Sequence, residues 1–281
     1  MILVNECWRR AMDVEKEREK IGKFIKAGLA VLSSILIIGS VYLYFPKVIS
    51  TWKQDNKKEN LPIQSVECEE KKIALSFDVS GSETEVNGIL ELLKKYQAEA
   101  TFFLTGQWIS EHPEIVKRIL KDGHDVGNHS ENHREMTELT REDCEQEIMM
   151  VHKKVRELTG MDMNLFRAPY NDFNHTLLQV TTNLGYYPIE WNIDSHDWKD
   201  YGIAPIVNEI CNSKELKEGS IILCHTDTKF TKKALNKVIG TLQKRGYSFV
   251  KVSNLIIKSD YYIDKTGRQR KIETKKTMQA C

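Results

Sequence analysis

Short apolar runs alternate with amphipathic stretches over residues 71–258. Residues 73–77, 100–104 and 186–193 have the length and composition of buried strands, whereas residues 86–96 carry apolar side chains at helical spacing. Alternation of buried strands with helices is typical of a parallel α/β sheet or barrel. The pattern therefore predicts one α/β domain that extends over residues 71–258.

A different pattern precedes this domain. Residues 27–46 contain no charged side chain, and about 20 apolar residues are enough to cross a bilayer as a helix. Tyr42 and Tyr44 lie near one end, where interfacial aromatic residues are common. The run is longer than the apolar part of a usual signal peptide, and no Ala-x-Ala cleavage site follows it. We predict an uncleaved, single-pass transmembrane anchor at 27–46, preceded by a segment at 1–26.

Two polar segments flank the predicted domain. Residues 47–70 are rich in Lys, Asn, Gln and Glu, contain Pro62 and show no sustained period, so we expect a linker. Residues 259–281 are polar and basic, and we expect a loose C-terminal tail there. The charges of the flanks do not set the orientation of the anchor, since Lys and Arg occur on both sides of it.

Composition excludes several functional classes. The chain has 281 residues, 41% of them hydrophobic, and a formal net charge of +1. A generic nucleic-acid binder would carry a clear basic excess, so we predict no nucleic-acid partner. Six cysteines are scattered without a Cys-x-x-Cys pair, which indicates buried or free thiols rather than a zinc ribbon or a disulfide framework. Nothing in the sequence indicates a protein partner.

Charged and imidazole side chains lie at or just beyond the ends of several predicted strands. They are Asp78, His129, Arg167, Asp194 and His225. In (β/α) barrels, active sites are assembled at the C-terminal ends of the strands. Any one of these residues could be a helix cap or a loop residue, but the recurrence at one end of the strands predicts an assembled site.

The segment from Gly127 to His133 contains two histidines, His129 and His133, at a spacing of four residues. They would share a face if the segment begins a helical turn, and neutral imidazole is a common metal ligand. The alternative is a pair of solvated histidines, which this spacing on a polar segment more often represents.

From about residue 71 to 257 the chain resembles the NodB-like polysaccharide deacetylases, or carbohydrate esterase family 4, and within them the sporulation-type enzymes of spore-forming bacteria. The matching pieces are Ser76-Phe77-Asp78, the segment from Asn128 to His133, Arg167-Ala168-Pro169-Tyr170, Asp194-Ser195-His196-Asp197-Trp198 and Ile222-Leu223-Cys224-His225. The resemblance implies a distorted (β/α)7 barrel. It also implies metal-assisted hydrolysis of N-acetyl, or sometimes O-acetyl, groups on a cell-wall polysaccharide such as peptidoglycan.

The resemblance implies roles for the acid–base residues. Asp78 would be the general base, with Arg167 orienting it and holding it ionised. His225 would be the general acid that protonates the leaving amine, and Asp197 would favour its charged form. A plain ion pair between Arg167 and Asp197 is the structural alternative.

Further roles concern the metal and the groove. The resemblance implies a divalent metal on His129 and His133, with zinc expected first and cobalt, manganese or nickel as alternatives. The backbone N–H of Tyr170 would supply an oxyanion donor. Trp198 and Leu223 would line the groove and the acetyl pocket, although Trp198 could instead belong to the core.

Two positions depart from the family pattern. The first motif usually carries two consecutive aspartates, the second of them a metal ligand, and here that position is Val79. Asn171 replaces a common glycine. The leading hypothesis is a membrane-anchored, metal-dependent deacetylase, and the alternative is a catalytically impaired glycan-binding protein. A scaffold acting through its charged ends is a third interpretation, supported only by charge runs.

The implied substrate also sets the expected location. Peptidoglycan lies outside the cytoplasmic membrane, so the resemblance places residues 1–26 in the cytoplasm and the domain at 71–258 outside the cell.

Overall fold

The computed structural model describes residues 61–272 of the chain. The predicted cytoplasmic segment (1–26) and membrane anchor (27–46) lie outside the described residues, as do residues 47–60 of the predicted linker and 273–281 of the predicted tail. Within the described part, no helix is both long enough and apolar enough to cross a bilayer.

The central sheet is parallel, as the alternating pattern predicts. The strands of residues 61–272 are β1 (Ser65–Val66), β2 (Lys72–Val79), β3 (Ala100–Leu104), β4 (Asp125–Asn128), β5 (Leu165–Phe166), β6 (Tyr187–Pro188), β7 (Ile193–Asp194), β8 (Ile221–His225), β9 (Ser248–Phe249), β10 (Tyr261–Ile263) and β11 (Arg268–Lys271). Seven of these described strands lie side by side in the order β6-β5-β4-β3-β2-β8-β7, and β9 pairs with the start of β2. The end strands β6 and β7 do not pair with each other in the described part, so the sheet is an open half-barrel.

Helices connect the strands. Those of residues 61–272 are α1 (Glu83–Tyr96), α2 (Gly106–Glu111), α3 (Pro113–Lys121), α4 (Arg141–Thr159), α5 (His175–Asn183), α6 (Ile203–Cys211), α7 (Thr231–Lys244) and α8 (Val252–Leu255). The longest helix, α4, begins where the Thr140 hydroxyl accepts a hydrogen bond from the backbone N–H of Asp143. It ends at Gly160, whose φ of 76° is the left-handed conformation that glycine adopts readily. Threonine and glycine are residue types typical of these two positions, so the sequence accounts for both ends of the helix.

Successive residues of β2 point to opposite faces of the sheet. Ile73, Leu75 and Phe77 belong to the larger apolar core, to which the helices also contribute. The intervening side chains face the interior of the half-barrel: Ala74 joins a second, smaller core, and Ser76 and Asp78 follow it toward the C-terminal end of the strand. The same alternation therefore builds the core and brings polar groups to one end of the sheet.

Three sequence expectations are wrong in detail. The strand predicted at 186–193 is interrupted, leaving the short strands β6 and β7. Residues 261–271 are not a loose tail, because β10 and β11 form a small sheet with β1. Residues 61–70 are not free linker either, since Ile63 and Val66 are buried. Strand β11 is polar throughout and β10 has only three residues, so neither shows a strand pattern in the sequence. Both depend on the long-range pairing of β11 with β1.

Candidate active site

The C-terminal ends of the strands surround a groove of about 970 Å³. Seven of the sequence-predicted site residues line it, namely Asp78, His129, His133, Tyr170, Trp198, Leu223 and His225. The other two, Arg167 and Asp197, are fully buried behind it. Asp194, at the end of β7, also lines the groove. The structure thus brings the predicted residues together, while their chemical roles stay predictions.

Asp78 forms an ion pair with Arg167 at the floor of the groove. Its Oδ1 accepts a hydrogen bond from Arg167 Nη1 at 2.7 Å, and its side chain is 14% exposed. Burial opposes ionisation of this carboxyl, but the charges of Arg167 and His225 and the hydrogen bond from Arg167 outweigh it and lower the pKa of Asp78. Asp78 is therefore held ionised beside the groove, as a general base must be.

Arg167 is held on several sides. Its guanidinium lies over the rings of Phe103, at 4.1 Å, and of Trp191, at 5.2 Å. Its Nη2 donates to the hydroxyl of Ser76 at 2.8 Å and to the backbone carbonyl of Glu190 at 3.3 Å. These contacts fix the guanidinium, so it can orient the Asp78 carboxylate. The plain ion pair between Arg167 and Asp197 that the sequence left open does not form.

His129 is buried, and its tautomer follows from its contacts. Its Nδ1 lies 2.9 Å from the carbonyl oxygen of Arg167, which can only accept, so Nδ1 carries the proton. Burial is the main reason that the pKa of His129 falls to about 4, so the ring is neutral near pH 7. The unprotonated Nε2 faces Asp78 Oδ2 at 3.8 Å.

His133 lies next to His129, with ring centroids 4.9 Å apart. The segment that carries them is irregular rather than a helical turn, and His133 has a φ of 53°. His133 is exposed, whereas His129 is not. The shared direction predicted from their spacing is thus produced by a loop, not by a helix face.

His225 and Asp197 form a second charged pair. His225 Nδ1 and its backbone N–H both donate to the Asp197 carboxylate at 2.8 Å, and the Thr231 hydroxyl donates to the same carboxylate at 2.6 Å. Burial raises the pKa of Asp197, but these bonds outweigh it and the pKa is lowered. Because Nδ1 is engaged, the Nε2 of His225 is the nitrogen left to act in the groove.

Asp197→Asn is expected to move the alkaline limb of the activity profile to lower pH. Burial lowers the pKa of His225, but the hydrogen bond and charge of Asp197 outweigh it and raise the pKa above 6.5. A general acid must be protonated, so activity falls as the pH rises through this pKa. Without the Asp197 charge that fall begins at lower pH, which a kcat/KM profile for acetate release would measure. Asp194→Asn, on the same groove, is the control and should shift the limb less; equal shifts would contradict the assignment.

Tyr170 and Trp198 present aromatic rings to solvent at the groove. Tyr170 has a φ of 61° and is followed by Asn171 at 58°, and left-handed backbone is uncommon for non-glycine residues. Trp198 is 58% exposed and therefore does not belong to the core. Leu223, in β8, is buried and lines the groove from below.

The side chains near His129 determine whether this chain can bind the metal that the resemblance implies in a complete site. Val79 stands where the usual third ligand would be, is 3% exposed and packs in the larger apolar core. Among residues 61–272, no group of three or more His, Cys, Asp or Glu side chains is placed to hold a metal ion. A catalytic zinc generally has three protein ligands. These residues therefore do not fit a complete site of that kind.

Sequence reasoning missed three supporting residues: Ser76, Trp191 and Thr231. Ser76 lies in the first matching motif, and its inward position two residues before Asp78 was a usable signal. Thr231 and Trp191 gave no such signal, because their contacts with Asp197 and Arg167 connect distant parts of the chain. Asp194 lies where predicted, but its carboxylate accepts from the backbone N–H of His196 rather than from Arg167 or His225.

Comparison with known proteins gives one consistent family. The polysaccharide deacetylase family profile matches residues 65–189. The chain is 37% identical over 192 residues to the peptidoglycan-N-acetylglucosamine deacetylase of Bacillus cereus, covering 66% of this chain and 89% of that protein. It is 31% identical over 199 residues to the peptidoglycan-N-acetylmuramic acid deacetylase PdaA of Bacillus subtilis, covering 68% and 73% of the two chains.

Solved structures resemble the fold as well. A mutant of BA3943 of Bacillus anthracis matches with a TM-score of 0.67 and 26% identity, over 71% of this chain and 72% of that one. It is described as a CE4-family pseudoenzyme with restored enzymatic activity. The structural neighbours therefore include a protein that is described as a pseudoenzyme and whose mutant is described as active.

Proposed function

This chain belongs to the polysaccharide deacetylase family, and we propose on that premise that it hydrolyses N-acetyl groups of peptidoglycan or a related N-acetylated glycan. One observation carries the proposal: a carboxylate held ionised by Arg167 and an imidazole whose protonated form is stabilised by Asp197 face the same groove. Amide hydrolysis needs one group of each kind, and a binding surface needs neither.

The reaction follows from these positions. Asp78 takes a proton from a water molecule, whose oxygen attacks the acetyl carbonyl carbon, and the Tyr170 backbone N–H donates to the oxyanion that forms. The carbon–nitrogen bond then breaks, and His225 Nε2 gives its proton to the leaving amine. The products are acetate and a free amino sugar, and exchange with solvent restores both groups.

The walls of the groove suit an acetylated sugar. Tyr170 and Trp198 offer exposed aromatic faces, against which the apolar face of a sugar ring can pack. Leu223 offers an apolar contact for the acetyl methyl group. Relatives named as N-acetylglucosamine and N-acetylmuramic acid deacetylases support the choice of peptidoglycan.

The function is tested by acetate release. The purified protein is expected to free acetate from peptidoglycan or from an N-acetylglucosamine oligomer, with a matching gain of free amines. His225→Ala should slow departure of the amine by about 10²–10⁴-fold. If folded protein frees no acetate from any acetylated wall polymer, with or without added Zn²⁺, Co²⁺, Mn²⁺ or Ni²⁺, the enzyme assignment fails.

A second candidate is a glycan-binding protein that no longer turns over. Val79, which offers no donor atom, favours it, as does the resemblance to a pseudoenzyme. This candidate predicts that wild type and His225→Ala bind the oligomer with equal affinity and release no acetate. Binding together with release would exclude it.

We further propose that any divalent metal is bound weakly, through His129 and His133. Val79→Asp is expected to tighten Zn²⁺ or Co²⁺ binding, because it adds an anionic oxygen where the family carries one. Without metal, the same substitution should lower the Tm, since it places a charge in the apolar core. Calorimetric titration and thermal unfolding with and without Zn²⁺ measure both effects.

Val79→Asn is the matched control, similar in size to the aspartate but uncharged. It should lower the Tm without a comparable gain in metal affinity. If Val79→Asp and wild type bind metal equally, another group already completes the site and this proposal is wrong.

Membrane anchoring is proposed from the sequence. Residues 27–46 would hold the protein in the cytoplasmic membrane, with the deacetylase domain outside, where peptidoglycan lies. Protease added to cells with a permeable wall but an intact membrane should digest the domain. Full protection of the domain, alongside digestion of a known external protein, would overturn this orientation.

A further inference from the structure

The loop that carries His129 and His133 depends on side chains for support. Ser130 and His133 have φ values of 64° and 53°, and the segment belongs to no helix or strand. Irregular backbone of this kind lacks the repeating hydrogen bonds that fix helices and strands. The His133 backbone N–H donates instead to the buried hydroxyl of Ser130 at 2.9 Å. The position of His133 is therefore set by whatever holds its neighbours.

Glu147, on α4, contacts the residues on both sides of His133. One of its carboxylate oxygens accepts from the Asn132 backbone N–H at 2.9 Å, and the other accepts from the Asn132 side-chain amide at 2.8 Å. The second oxygen also lies 3.8 Å from Arg134 Nη1. Glu147 is only 4% exposed and fifteen residues away in sequence. The buried Glu147 carboxylate, which lies outside the loop, thus contacts the residues that precede and follow His133.

The contact between Glu147 and Asn132 has a defined direction of hydrogen bonding. Both Asn132 groups donate and both Glu147 oxygens accept, so each carboxylate oxygen is paired with one N–H donor. Arg134 is half exposed at 50%, so its contribution is smaller than that of the two hydrogen bonds. Helix α4 is capped at both ends and contributes buried side chains to the core, so a group on it can fix the loop relative to the sheet.

We propose that Glu147 is a positioning residue that sets the place of His133 in the groove. The inference rests on the proposed function in so far as His133 serves the reaction. The assigned role does not require Glu147 to touch substrate. It requires that the hydrogen bonds between Glu147 and Asn132 keep the His133 ring beside His129 and Tyr170. The alternative is that the Glu147 side chain only fills space behind the loop.

The proposal is tested by exchanging the carboxylate and amide side chains of residues 147 and 132. Asn132→Asp places a carboxylate against the Glu147 carboxylate, and we expect a fall in kcat of roughly 10- to 10²-fold with little change in KM. Glu147→Gln alone should stay near wild type, because the Asn132 amide can rotate to accept from the new amide. The double variant should recover, since the introduced glutamine then donates to the introduced aspartate and accepts from the backbone N–H of residue 132. Glu157→Gln, an exposed change on the same helix, should not rescue Asn132→Asp.

Two readouts do not depend on catalysis. Hydrogen exchange of the residue 132 amide should accelerate in Asn132→Asp and return to the wild-type rate in the double variant. The side-chain NMR signals of His129 and His133 should shift and recover in the same order. If wild type releases no acetate, the proposed function fails, and these two measurements still decide the role of Glu147. Unchanged exchange and signals in Asn132→Asp, or no recovery in the double variant, would overturn it.

Discussion

Asp78→Asn is expected to reduce acetate release by about 10²–10⁴-fold while the protein remains folded. The asparagine keeps the size of the side chain and can still accept a hydrogen bond from Arg167, but it cannot take a proton from water. The pKa of Asp78 is lowered mainly because the charge of Arg167 outweighs burial, so the wild-type carboxylate is ionised throughout the neutral range. Steady-state acetate release and a thermal unfolding curve, recorded together, measure the two parts of this expectation.

The control for Asp78→Asn is Asp227→Asn. Asp227 lines the same groove but is exposed. Its neutralisation should change the rate much less, so the pair separates loss of the base from a general change in groove charge. If Asp78→Asn releases acetate at the wild-type rate, another group is the base.

Arg167→Met is expected to abolish activity and to lower the free energy of unfolding by about 3–5 kcal/mol. The methionine preserves part of the apolar contact with Phe103 and Trp191 but leaves Asp78 without its cation. Removing one partner of a buried ion pair is costly because the other charge stays in a low-dielectric surrounding. Urea unfolding followed by fluorescence would measure the change.

The same substitution made in Asp78→Asn should cost less, because no unpaired carboxylate is then left at the floor of the groove. The difference between the two backgrounds gives the interaction energy of the pair. Equal costs in both backgrounds would mean that Arg167 stabilises the fold through its stacking and backbone contacts alone, and that it does not hold Asp78 ionised.

Val79 belongs to the apolar core and also bears on the choice between the two candidate functions. A strand residue at this position faces the helices rather than the interior of the half-barrel, and Val79 joins the apolar core there. It nevertheless borders the groove. An aspartate would therefore need a cation to offset its burial, which is why metal affinity and stability should change together in Val79→Asp.

Local patterns determined most of the elements. The apolar run at 100–104 is β3 with the predicted bounds, since five consecutive buried positions leave little choice but a central strand. Helix α4 begins after Thr140 and ends at Gly160, because a cap hydrogen bond and a left-handed glycine are properties of a few neighbouring residues. The motif residues at the strand ends were also found from sequence, because parallel strands end at the same edge of a sheet.

Only the tertiary structure decided how distant groups pair. Glu147 reads in the sequence as one of several acidic residues of a helix, and its contact with Asn132 exists only because α4 packs behind the histidine loop. The sequence allowed Arg167 to pair with Asp197, whereas the sheet order places Asp78 beside it. Strands β10 and β11 likewise needed β1, from the opposite end of the domain sequence, as a partner. Such contacts depend on the summed packing of the whole domain, which no local pattern records.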